Sequence, residues 1–68
     1  MKRQMYKKDV FALRHSRDEH LRWGQAIVNE YFTGPWPELF YETDENKVFN
    51  MMWCFFESNQ IPYEEDAT

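Results

Sequence analysis

The polar side chains with the most regular spacing are Asp18, Arg22, Gln25 and Asn29, separated by four, three and four positions. On a helix that spacing places them along one side. Arg22 offers a planar fork of donors, and the two amides can both donate and accept. Such a line can satisfy irregular backbone held against the helix, with Gln25 and Asn29 bonding a neighbouring loop and Arg22 pairing with Glu42 or Asp44. Alternatively, Arg22, Gln25 and Asn29 line a recognition surface for another protein. No catalytic arrangement accompanies them. Ser16 reads as a helix cap, Ser58 as a helix end and Cys54 as a small thiol in the core, and neither histidine stands in a pattern with a nucleophile. His15 and His20 are five apart, and Cys54 has no neighbouring cysteine or histidine, so the four ligands of a structural zinc are missing. With only Gly24 and Gly34, no glycine-rich phosphate loop can be drawn. The expectation is a non-enzymatic protein without metal or cofactor.

The elements that would position these residues are helical. Ser16-Arg17-Asp18-Glu19 has the form of a capping box, with acids in the first turn where the helix dipole favours them. A helix is therefore expected over about 17–32, with Leu21, Gly24, Ile27, Val28 and Tyr31 on its apolar face. Gly24 on that face would let another backbone come close. Gly34-Pro35 should end the helix, the glycine in a left-handed position. Residues 33–43 form an aromatic, proline-containing connector that should fold back on the helices, with a single turn starting at Pro37. A second helix is expected over about 44–58, started by Thr43-Asp44-Glu45. Val48, Met52, Phe55 and Phe56 make one face, widened by Phe49 and Trp53. Trp53 and Phe56 are assigned to the core or to a dimer seam. Residues 1–8 are basic and only weakly periodic; the alternatives are a mobile, fraying segment or a short N-terminal helix continuing toward Leu13. Residues 62–68 form an acidic tail expected to be mobile.

Arg22-Trp23-Gly24-Gln25-Ala26-Ile27-Val28-Asn29, followed by Phe40-Tyr41-Glu42-Thr43-Asp44, resembles a set of very short bacterial and phage proteins. These carry an Arg-x-Gly-Gln-x-x-x-Asn helix, a brief loop and a Phe-Tyr-x-x-Asp step into a second helix. The resemblance spans roughly residues 21–50 and implies a small helical protein with no particular reaction. The connector in this chain is longer than in the pattern and contains Trp36 between two prolines.

At 68 residues the chain is one small domain, 1–68, with 43% apolar and 19% aromatic residues. It has no apolar run long enough to span a membrane and no signal-peptide pattern, and a single cysteine suits a reducing cytoplasm. Residues 1–22 carry seven of the eight basic residues against three acids; residues 23–68 carry only Lys47 against nine acids. Lys2, Arg3, Lys7, Lys8, Arg14 and Arg17 could neutralise phosphates, which supports an alternative role as a nucleic-acid-associated regulator, acting as a dimer. The acidic body and a formal net charge of −4 speak for a basic head paired with that body instead, in cis or across a dimer.

Thirteen aromatics and four methionines are residues that interface cores favour. A domain of this size without disulfides also needs very good internal fit or a partner. The expectation is an all-α domain that binds and modulates or inhibits a larger cytoplasmic protein, of phage or mobile-element type by the resemblance. Homodimerisation is a further option. Trp36, Arg22, Gln25, Asn29 and Tyr41 are the partner-binding candidates.

Overall fold

In the computed structural model, which describes residues 3–65, four helices follow one another: α1 (Lys7–Ser16), α2 (Trp23–Tyr31), α3 (Pro37–Phe40) and α4 (Glu45–Asn59). There is no strand among the described residues, so the all-α expectation holds. α4 starts one residue after the expected boundary. The Asp44 carboxylate accepts from the Asn46 N–H at 2.9 Å, a side-chain cap on an otherwise unsatisfied donor. Val48, Met52 and Phe56, four apart, are buried along one stripe. The helix ends at Gln60, the one non-glycine residue with positive φ (54°) among those described. Beyond it the Ile61 N–H reaches back to the Phe56 carbonyl at 3.0 Å, and Ile61 drops into the core.

α1 is a full ten-residue helix, more than the short segment expected. Its N-cap, Tyr6, makes no side-chain cap. The Lys7 and Lys8 N–H groups donate instead to the Pro62 and Tyr63 carbonyls, at 2.9 and 3.0 Å. A segment from the far end of the chain thus caps the first helix. Met5 and Val10 are fully buried, so the basic head contributes to the core. Residues 1–2 and 66–68 of the terminal segments lie outside the described residues.

The helix expected over 17–32 starts only at Trp23. Ser16 is the last residue of α1 and not a cap, and residues 17–22 form a turn. Within it the Asp18 carboxylate accepts from the His20 N–H at 2.9 Å, and the Leu21 N–H bonds the Asp18 carbonyl at 2.9 Å. Arg17 donates through Nε to the Leu21 carbonyl at 2.8 Å and through its terminal nitrogen to the Arg14 carbonyl. Aspartate competes for backbone donors in this way, and here the competition wins over capping. The reversal also brings Trp23 beneath α1, where its indole N–H donates to the Val10 carbonyl at 2.9 Å in a buried bond.

α2 is the central element. Gly24, Ile27, Val28 and Tyr31 are buried as expected, together with Trp23 and Ala26. Gly24 permits a close approach: a Cβ there would stand 2.0 Å from the Leu39 carbonyl oxygen of α3. α3 begins with Pro37 as expected and inserts Leu39 into the core. Gly34 does not take a left-handed position; no glycine has positive φ, and α2 ends at an extended Phe32. That exit directs the Phe32 ring against Trp36 and Phe55, at centroid distances of 5.5 and 5.2 Å. The radius of gyration, 11.5 Å, is near the ~11 Å expected of a folded chain of this length.

Candidate functional site

A hollow of about 380 Å³ lies where the end of α2 meets the connector and α3. Phe32, Trp36, Phe40 and Tyr41 supply aromatic lining; Gly34, Pro35 and Pro37 shape the connector side; Asn29 adds an amide. Three of the five partner-binding candidates, Asn29, Trp36 and Tyr41, therefore meet in one place. Each is there for a local reason. Asn29 sits on the exposed side of α2, and it is itself engaged with a neighbour. Trp36 is half-buried, edge-on to Phe32 and tilted against Phe55 at 5.9 Å. It is both core flank and site wall. Tyr41 follows the single turn of α3, lies edge-on to Phe40 at 5.0 Å, and is 68% exposed. Phe32 and Phe40 line the hollow as well, although no motif marks them. Their signal is the spacing Phe32, Trp36, Phe40, aromatic at every fourth position across a stretch that a proline otherwise marks as a loop.

The other two candidates are elsewhere. Gln25 is half-buried on α2 and lines neither this hollow nor the next. Arg22 is the residue before α2 and lines a second hollow, about 560 Å³, with Arg14, Arg17, Trp23, Glu42, Asp44 and Glu45. It forms no ion pair with Glu42 or Asp44, the pairing that the spacing suggested. With Asp18 drawn into the turn, the four-residue polar stripe does not exist as one surface.

Five basic residues of the head, Arg3, Lys7, Lys8, Arg14 and Arg17, are turned onto the acidic body. Arg3 pairs with Glu30, and that hydrogen bond holds its guanidinium more firmly protonated than usual. Lys8 pairs with Glu64 at 3.5 Å, and Arg14 and Arg17 both pair with Glu45, at 3.1 and 3.2 Å. The Lys7 ammonium stands 4.9 Å above the Trp53 ring. Lys2 lies outside the described residues. Such solvent-exposed pairs are individually weak, screened by water and salt. Together they meet the cis-pairing expectation and leave fewer free charges for phosphate.

Cys54 is exposed and not in the core. It lies two positions from Met52, which puts it across the helix from the Val48, Met52, Phe56 stripe. Phe56 is buried, while Trp53 and Phe49 are each 41% exposed. They stack on one another at 5.9 Å, and Phe11 stacks on Phe49 at 5.5 Å. Among the described residues no group of three or more His, Cys, Asp or Glu could hold a metal. Among the described residues no helix is long and apolar enough to cross a membrane. In comparisons with known proteins, no family, no curated protein and no solved structure matches the chain.

Proposed function

We propose that this chain is a non-enzymatic interaction factor that binds a larger cytoplasmic protein and modulates or inhibits it. The observation that carries the reading is the aromatic hollow at the end of α2. It gathers Phe32, Trp36, Phe40 and an exposed Tyr41 around an amide. Interfaces favour aromatic anchors set in a concave apolar site with a few polar groups, and a tyrosine costs little conformational entropy to immobilise. The acidic surplus of residues 23–68 favours a partner that surrounds an apolar side chain or proline-containing segment with basic residues. The resemblance to short bacterial and phage proteins is in keeping with a small chain acting on a host protein, by analogy. The nucleic-acid reading draws less support, because Arg3, Lys7, Lys8, Arg14 and Arg17 face acids or aromatic rings of the same chain.

Affinity capture from host cell lysate tests the proposal. Tyr41→Ala is the variant to use, because Tyr41 is exposed and its loss leaves the core intact. Trp36→Ala would also remove ring contacts to Phe32 and Phe55. A captured protein should be enriched by the natural chain, and Tyr41→Ala should weaken its binding by about 30-fold, a hot-spot loss of ~2 kcal/mol. Equal capture by both chains, or no enrichment over control, would refute it.

A further inference from the structure

The second hollow, between the end of α1, the 17–22 turn and the start of α4, is lined by three guanidiniums and three carboxylates. Equal numbers would make it an ordinary salt-bridged wall, but the pairing is uneven. Glu45 takes two partners: Arg14 Nε on Oε1 at 3.1 Å and a terminal nitrogen of Arg17 on Oε2 at 3.2 Å. The Asp44 carboxylate is spent on the α4 cap, and Glu42 Oε1 accepts from the Asp44 N–H at 3.1 Å. Arg22 is left over. Its Nε is shielded from solvent and makes no hydrogen bond among the described residues, and no carboxylate pairs with the group. A buried charged donor without an acceptor is costly, and the guanidinium fork is matched to a planar carboxylate, which it grips through two parallel N–H bonds.

We propose that Arg22 holds a carboxylate group in this hollow, either of a small organic acid or of a peptide. Arg22 lines the opening, and its guanidinium carries four terminal N–H donors besides the shielded Nε–H. Arg14 and Arg17 stand on the same wall and add positive field, although both are turned to Glu45. Glu42, Asp44 and Glu45 bring the charge of the wall back to neutral, so Arg22 can balance one negative charge, and the second charge of a phosphate dianion would face these carboxylates without a counter-charge. The site lies at the opposite end of α2 from the aromatic hollow and stands or falls without the interaction proposed there.

The test is a titration of the ¹⁵N-labelled full chain with acetate, with chloride at equal ionic strength as control. It follows the Arg22 Nε–H and the indole N–H of Trp23, which lines the same hollow. Saturable shifts of both signals are expected with acetate, and weaker ones with inorganic phosphate. Arg22→Gln should weaken acetate binding at least about tenfold, the loss of one charge-assisted bidentate pair. Arg22→Lys keeps the charge without the fork and should fall between; it decides the matter if Arg22→Gln fails to fold. An N-acetylated dipeptide with a free C-terminus, compared with its amidated form, separates the sources. Tighter binding than acetate, lost on amidation, assigns a peptide carboxylate, whereas binding no tighter than acetate assigns a free acid. Acetate shifts no larger than those of chloride, or unchanged in both Arg22 variants, overturn the proposal.

Discussion

Gly24→Ala should destabilise this protein, although alanine is the better helix former. A Cβ at position 24 would stand 2.0 Å from the Leu39 carbonyl oxygen and 3.0 Å from its carbonyl carbon. An ordinary carbon–oxygen contact is about 3.3 Å or more, so α3 must retreat by more than an ångström. The obstacle is backbone, which cannot rotate aside as a side chain can. Such overpacking costs about 1–3 kcal/mol. The retreat also lifts Leu39, fully buried, partly out of the core, and full burial of a leucine is worth about 1.5–3 kcal/mol. Against this, replacing glycine inside a helix returns about 1 kcal/mol. The net is a destabilisation of about 2 kcal/mol, a large part of the ~3–10 kcal/mol expected of a 68-residue chain. Thermal unfolding followed by circular dichroism should show a melting temperature lower by roughly 8–16 °C. Gly34→Ala is the matched control. Nothing lies within 4 Å of its Cβ position and its φ is not positive, so alanine should be neutral or stabilise by up to ~1 kcal/mol. If Gly24→Ala melts at or above the natural chain, the close approach of α2 and α3 is not what the glycine serves.

Met5→Ala should cost about 2–5 kcal/mol in urea unfolding, because Met5 is fully buried; deletion of residues 1–8 should abolish the folded state outright, and a stable truncated chain would contradict the role given to the basic head. Gln60→Gly should raise the melting temperature, since a side chain in the left-handed region costs about 1–2 kcal/mol that glycine avoids. Burial pushes the Tyr31 phenol above its ordinary 10.0, a shift that the Arg3 charge over the ring reduces. The neutral phenol is the form that the fold favours, so its contribution is complete below pH ~10 and is lost as the pH rises through the folded value. Tyr31→Phe should flatten that alkaline fall, and an unchanged slope would exclude Tyr31 as its cause.

Much of the architecture was legible because it depends on neighbours in the chain. Asp44 caps α4 and Pro37 opens α3 by interactions within one turn, and both starts were read within a residue. The apolar face of α2 was read from its spacing. The start of that helix was not, because Ser16-Arg17-Asp18-Glu19 suits a cap and a turn equally well. What decides between them is where Val10 and Trp23 must meet, and their hydrogen bond joins two different helices. Of the candidate site, Trp36 and Tyr41 stand out by type and Asn29 by its place in the polar stripe, and the three converge. Arg22 and Gln25 share that periodicity with Asn29, but the fold gives them other surroundings.

The residue order by itself determined an all-α chain, a capped fourth helix, an aromatic connector and a glycine where two backbones touch. These follow from side-chain chemistry acting over a few positions. Only the tertiary structure decided that Pro62 and Tyr63 cap α1, that Glu45 absorbs both Arg14 and Arg17, and that Cys54 faces outward. It also decided that Arg22 ends without a carboxylate. The pairings depend on which distant groups the fold brings within reach of a shared donor or acceptor, and the outward turn of Cys54 on which face of α4 the core takes up. A carboxylate with two claimants serves the ones that burial of the core brings within reach, and no local spacing records that choice.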